Sequence, residues 1–124
     1  MTFAWIVLAS ACGAVARYAL DATATRWTGS RLPYGTLVVN VLGSFGAGLV
    51  AGAVGTQGPP SGVATVVAVG FLGSFTTFST WMHRSVLLIE EGRWAEASGS
   101  VVGGFVAGVA AAGLGLVVAT AWTA

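Results

Sequence analysis

From Leu32 to His83 the chain runs for 52 residues without an Asp, Glu, Lys or Arg, yet this stretch is rich in neutral polar side chains. Those at depth in the predicted spans are Thr36, Asn40, Ser44, Ser74, Thr76, Thr77, Ser79 and Thr80. Uncharged donors suit an ion that must shed water and move on, because they stabilise it without trapping it. The carboxamide of Asn40 offers two donor hydrogens and an acceptor. It is either a contact for such an ion or an interhelical hydrogen bond, worth about 0.6–2 kcal/mol in a membrane. The densest cluster is Gly70-Phe-Leu-Gly-Ser-Phe-Thr-Thr-Phe-Ser-Thr-Trp81. Two glycines and a run of hydroxyls weaken a helix at this point. Broken backbone at membrane depth persists only when buried in protein or lining a cavity, and its freed carbonyls would form a hard-oxygen site for a small cation. The same residues also allow an intact helix bent by Ser and Thr, with Phe75, Phe78 and Trp81 as packing. Periodicity leaves both readings open.

The elements that must carry these residues follow from composition. Of 124 residues, 56% are hydrophobic and 7% charged, against about 25% charged in an ordinary soluble domain. Mean hydropathy is +0.87. There is no lysine, and five arginines against four acids give a net charge of +1, too little for a nucleic-acid footprint. A single cysteine, Cys12, excludes an intrachain disulfide, and a single His83 excludes the usual zinc sites. A soluble enzyme, a zinc module and a disulfide scaffold are all disfavoured. An all-α integral membrane protein remains.

A crossing takes about 20 apolar residues, so the 52-residue run holds two, separated by Gly55-Thr-Gln-Gly-Pro-Pro-Ser-Gly62. The predicted helices cover about 2–20, 33–54, 61–90 and 94–121 of a single transmembrane domain spanning 1–124, with the third broken near its middle. The first is not read as a signal peptide, since no basic residue precedes it. Gly48-x-x-x-Gly52 marks a contact face on the second helix. Small-residue stripes mark the fourth: Gly99, Gly103, Ala107, Ala111, Gly115, and beside them Gly104, Gly108, Ala112. Four short helices bury little surface, so an oligomer is expected. Trp5, Trp27, Trp94 and Trp122 lie near predicted span ends, as interfacial aromatics do.

No acid lies deep in a span. A proton-coupled small multidrug exporter needs one, so that reading, otherwise suited to the length, is disfavoured. With four crossings, all five arginines fall on the side of the first and third loops: Arg17, Arg26, Arg31, Arg84 and Arg93. The positive-inside rule makes those loops cytoplasmic and both termini external. Arg17 and Asp21, four residues apart, either pair at a helix end or leave an electropositive vestibule. His83 is read as interfacial, with a pH gate as the alternative.

Longer motifs then become specific. Gly-Ala-Val-Ala-Arg17-Tyr18, Gly35-Thr-Leu-Val-Val-Asn40-Val-Leu-Gly43, Gly70-Phe-Leu-Gly73-Ser-Phe-Thr76-Thr-Phe78-Ser-Thr80 and Glu91-Gly-Arg93 stand in order along the chain. They resemble the small bacterial fluoride channels (Fluc/CrcB). The resemblance implies a passive fluoride channel that lowers cytoplasmic fluoride, in the cell membrane. It implies an inverted-topology dimer enclosing two pores, and a structural, non-transported sodium ion held by backbone carbonyls of Gly73 and Thr76. Asn40 matches the family's pore asparagine and Phe78 the first of its two pore phenylalanines, with Ser79 and Thr80 beside them. An aromatic ring edge is the positive end of its quadrupole and can face an anion.

Three departures stand out. Trp81 replaces the second pore phenylalanine, and its indole brings an N–H donor as well as bulk. Arg84 stands where the family usually has a glutamate, so that with Arg17 it would make a cationic vestibule. The fourth helix reads Ser98-Gly-Ser100-Val-Val-Gly-Gly104-Phe105, lacking much of the family's polar track. A self-pairing dual-topology subunit should carry almost no arginine bias. The five-to-zero bias therefore points to a related, oppositely oriented paralogue as partner, with self-pairing as the alternative. In the alternative reading, this chain is a weakly conducting structural partner in a heterodimeric channel.

Overall fold

A computed structural model of the chain describes residues 1–28, 34–58 and 61–123, and these residues are helical almost throughout. Helix α1 covers Thr2–Thr28 and α2 covers Tyr34–Gln57. The third span starts with α3, Gly62–Thr65, whose N-terminus is capped by Ser61 Oγ accepting from the Ala64 N–H. It continues through a π-helical segment, Val66–Leu72, into a short α4, Gly73–Phe75, and resumes as α5, Ser79–Glu90. Helix α6 covers Trp94–Thr123. Four of these stretches, Thr2–Trp27, Tyr34–Gln57, Gly62–Glu90 and Trp94–Thr123, are long and apolar enough to cross a membrane.

The helix ends depart from the sequence expectations in three places, one of them α2, which runs past Val54 to Gln57. Helix α1 runs on past Leu20 to Thr28 and carries Arg26 in its last turn. No glycine or proline interrupts the stretch after Asp21 until Gly29, and Thr23 Oγ1 donates back to the Ala19 carbonyl. Helix α6 likewise continues to Thr123. Arg31, Pro33, Pro59 and Pro60 lie outside the described residues. The turn after α5 closes with Gly92 at φ 76, a left-handed conformation that favours glycine. Its N–H donates to the Ile89 carbonyl and the Arg93 N–H to that of Leu88, which ends the helix in a Schellman motif.

Helices α2 and α6 form the main packing interface, and glycine sets their separation. A methyl group at Gly48 would strike the Ala112 carbonyl, and one at Gly115 the Phe45 carbonyl. At Gly52 it would meet Ala119 and Leu116. Backbones this close gain dispersion contacts that larger residues would prevent. At the end of the pair, Thr56 Oγ1 and Thr123 Oγ1 lie 2.8 Å apart. Of the two stripes on α6, Gly104, Gly108, Ala112 and Gly115 face neighbouring chain. Gly99 and Gly103 face open space.

The third span packs against α1 in the same manner. A Cβ at Gly13 would meet the Phe71 carbonyl and Ser74 Oγ, and one at Gly70 would meet Ala9 and Ile6. Long, predominantly apolar helices with so little buried core suit a lipid-facing bundle. Among the described residues the buried apolar side chains are Val39, Phe75, Leu88, Ala97 and Ala119, whereas Phe3, Val102, Phe105 and Val109 are exposed. Trp5, Trp27, Trp94 and Trp122 are exposed as well.

Candidate ion-permeation site

Helical structure in the third span lapses within the Ser/Thr cluster. Thr76 is extended, with φ −85 and ψ 157, and helix resumes at Ser79. The hydroxyls on either side serve the backbone. Ser74 Oγ donates to the Gly70 and Phe71 carbonyls at 3.0 and 3.1 Å, and Thr76 Oγ1 donates to the Leu72 carbonyl at 3.0 Å.

A continuous helix would give the Gly73 carbonyl the N–H of Thr77, and the Thr76 carbonyl the N–H of Thr80. Both donors go elsewhere. Thr77 N–H donates to Asn40 Oδ1 at 2.8 Å, and Thr80 N–H donates to Thr77 Oγ1 at 3.3 Å. Asn40 Nδ2 in turn donates to the Thr77 carbonyl at 2.8 Å. Asn40 therefore makes the interhelical hydrogen bond that was one of its two sequence readings, and makes it twice to one peptide residue. One N–H of the carboxamide remains.

Close approach of α2 makes this possible. Gly43, three residues after Asn40 on the same face, lies where a Cβ would meet Thr76 Cγ2. Phe75 is buried and stacks on Phe71 at 5.5 Å between centroids, so it belongs to the packing.

Phe78 does not. Its side chain is 69% exposed and meets Trp81 edge to face, with centroids 5.9 Å apart and planes at 89°. The indole of Trp81 lies over Gly104, where a Cβ would clash with the ring, and its Nε1–H donates to the Ser100 carbonyl at 3.2 Å. The N–H expected as an anion donor is thus engaged in joining α5 to α6. Ser79 is exposed, with its hydroxyl 3.4 Å from that of Thr77.

Two cavities adjoin the non-helical residues, and Thr77 borders both. One is an open, mainly apolar groove of about 540 Å³ that brings together Asn40, Gly73, Thr76, Phe78, Trp81 and Phe105. The other, about 190 Å³, is lined by Arg17, Tyr18, Asp21, Thr36, Val39, Thr77 and Thr80. Thr36 is 1% exposed, and its hydroxyl has no hydrogen-bond partner among the described residues. The structure does not pair Arg17 with Asp21. Arg84 takes Asp21 instead, through two hydrogen bonds of 3.1 and 2.9 Å. Of the two arginines expected at a vestibule, Arg84 thus has a carboxylate partner, and Arg17 lines the smaller cavity beside Thr36 and Thr80.

Sequence reasoning missed Asp21 as the partner of Arg84, because 63 residues separate them and no local spacing signals the pair. It also missed the Thr77 peptide and Gly13. Among the described residues no group of three or more His, Cys, Asp and Glu could hold a metal ion.

Comparison with known proteins agrees with the motif reading. Residues 4–116 match the family profile described as CrcB-like protein, Camphor Resistance (CrcB). A relative from Magnetococcus marinus named Fluoride-specific ion channel FluC is 43% identical over 120 residues, covering 95% of this chain and 97% of its own. One of the same name from Opitutus terrae is 39% identical, covering 94% and 91%. A third, named Fluoride-specific ion channel FluC 2, from Symbiobacterium thermophilum, is 41% identical, covering 96% and 98%. These relatives are ion channels rather than enzymes. With the match spanning nearly all four helices, the chain belongs to the CrcB family.

Proposed function

We propose that the chain is a subunit of a passive, fluoride-selective channel in the cell membrane, lowering cytoplasmic fluoride, with both termini outside. The observation that carries this reading is the non-helical stretch at Thr76–Phe78, bordered by two cavities, in a chain whose relatives are named fluoride-specific ion channels. Irregular backbone at membrane depth is tolerated where it lines a passage. Fluoride is small and strongly hydrated, so a path for it must replace water with closely spaced donors. Arg17 and the hydroxyls of Thr36 and Thr80 offer these at the smaller cavity. In the groove, the exposed ring of Phe78 and its perpendicular neighbour Trp81 offer positive edges.

In this reading the open groove is covered by a second, oppositely oriented subunit. The exposed side chains of Phe78, Phe105 and Val109 around it support this. The five-to-zero arginine bias supports a related paralogue as partner. A structural sodium ion suits the carbonyls of Gly73 and Thr76, since both lose their helical donors and sodium takes oxygen ligands. Such an ion would supply fixed positive charge where the subunits meet.

Liposomes carrying this chain alone, or co-expressed with its paralogue, test the reading with a fluoride electrode. Fluoride efflux from either preparation supports it. Silence from both, under conditions where the Magnetococcus relative conducts, refutes it. Robust efflux from the chain alone refutes obligate pairing.

One observation favours a second reading, in which the chain is a weakly conducting structural partner. The Trp81 N–H is committed to Ser100, on a fourth helix already poor in polar groups. Substituting Phe78 and its counterpart in the paralogue separately distinguishes the two. If only the counterpart's substitution stops efflux, this chain is scaffolding.

A further inference from the structure

We infer that Asn40 is a positioning residue that holds the third span open by pairing with both backbone groups of Thr77. The backbone part of this inference stands alone; what the freed carbonyls bind rests on the channel reading above. A peptide N–H and carbonyl without partners in an apolar interior are costly, so a broken helix at this depth would ordinarily close. The helical partner for the Thr77 N–H is the Gly73 carbonyl, four residues back, and donating to it would restore the helix. Asn40 competes for it with an acceptor at 2.8 Å and simultaneously supplies a donor to the Thr77 carbonyl at 2.8 Å. A side chain with both functions on one planar group satisfies the peptide residue as a neighbouring strand would.

The consequence falls on Gly73. Once the Thr77 N–H is held by α2, the Gly73 carbonyl has lost its helical donor, and the Thr80 N–H, held by Thr77 Oγ1, is lost to the Thr76 carbonyl in the same turn. Asn40 thus releases the Gly73 oxygen without touching it, and the Thr77 hydroxyl, on the residue Asn40 holds, releases that of Thr76 three residues on. Gly43 belongs to the same device, because any Cβ there would meet Thr76 Cγ2 and push α2 away. Asn40 thus acts through the Thr77 peptide, a role distinct from donating to a passing anion.

The test uses the full chain, isotope-labelled, in lipid nanodiscs. In the unmutated protein, NMR should detect scalar coupling across the hydrogen bond from the Thr77 amide nitrogen to the Asn40 side-chain carbonyl carbon; its absence overturns the proposal. In Asn40→Ala the Cα resonance of Thr76 should move from its extended position into the helical range, while α6 resonances stay in place. A Thr76 resonance that remains extended in this variant overturns the proposal. Asn40→Asp, measured at a pH low enough to protonate the new carboxyl so that it accepts and donates like the amide, should restore the extended position; should the alanine variant not fold, the coupling and this rescue decide, with a helical Thr76 in Asn40→Asp at that pH counting against. Neither readout involves fluoride or sodium, so silent liposomes alongside these shifts would sink the channel reading and leave the positioning role standing.

Discussion

The Arg84 guanidinium straddles the Asp21 carboxylate, Nη1 to Oδ1 at 3.1 Å and Nη2 to Oδ2 at 2.9 Å, linking the third span to the first. Two parallel charge-assisted bonds fix orientation as well as charge. The pair is also pressed by α2, since a Cβ at Gly35 would collide with Asp21. Where the resemblance leads one to expect a glutamate, the arginine has its own carboxylate and forms a neutral pair with it.

Asp21→Asn should therefore lower stability by on the order of 1–2 kcal/mol, since each side chain is roughly a quarter to a third exposed. Thermal unfolding in detergent measures it. The swapped pair Asp21→Arg with Arg84→Asp should recover part of the loss. A double-mutant cycle with no coupling would show that the bridge contributes nothing.

Trp81→Phe removes the N–H given to Ser100 while retaining an aromatic edge over Gly104. Its expected cost is about 1 kcal/mol of stability, the net worth of one hydrogen bond. Fluoride efflux should stay within about twofold of the unmutated chain's, because that N–H is not available to an anion. A tenfold fall in efflux at unchanged stability would make the indole N–H a direct contact.

Phe78→Ala should leave folding nearly untouched, since the ring is 69% exposed and its aromatic contact is with Trp81. If this chain's face conducts, efflux should fall at least about tenfold, equivalent to about 1.4 kcal/mol in the barrier. Electrode traces from liposomes at matched protein content give the comparison.

Glycines divide by what lies opposite them. Gly48→Ala and Gly115→Ala should each cost about 1–3 kcal/mol through overpacking of α2 against α6. Gly113→Ala, which meets nothing within 4 Å, should be neutral or stabilising by up to about 1 kcal/mol through helix propensity. Unfolding midpoints of the three variants, measured side by side, check the ranking.

Much of this molecule is written locally. The charge-free runs and their lengths specify four apolar helices, because each backbone polar group must find its partner within its own span in hydrocarbon. The family motifs are contiguous, so Asn40, Gly73, Thr76 and Phe78 could be named as site residues without coordinates. Clustered glycines and hydroxyls at 70–80 are likewise legible as residues that weaken a helix, without deciding between a break and a bend.

What spacing could not supply was partnership across spans. Asp21 had Arg17 as an obvious helical neighbour, yet the carboxylate goes to Arg84, whose long side chain reaches it from α5 with both guanidinium nitrogens. Asn40 could have faced an ion or a helix, and only the approach of α2 at Gly43 decided that it holds Thr77. Trp81 carried a donor whose target, a carbonyl on α6, is set by the crossing of two helices. Composition and spacing determine what each span can be in lipid; which polar groups then satisfy one another depends on distances that exist only after the spans have packed.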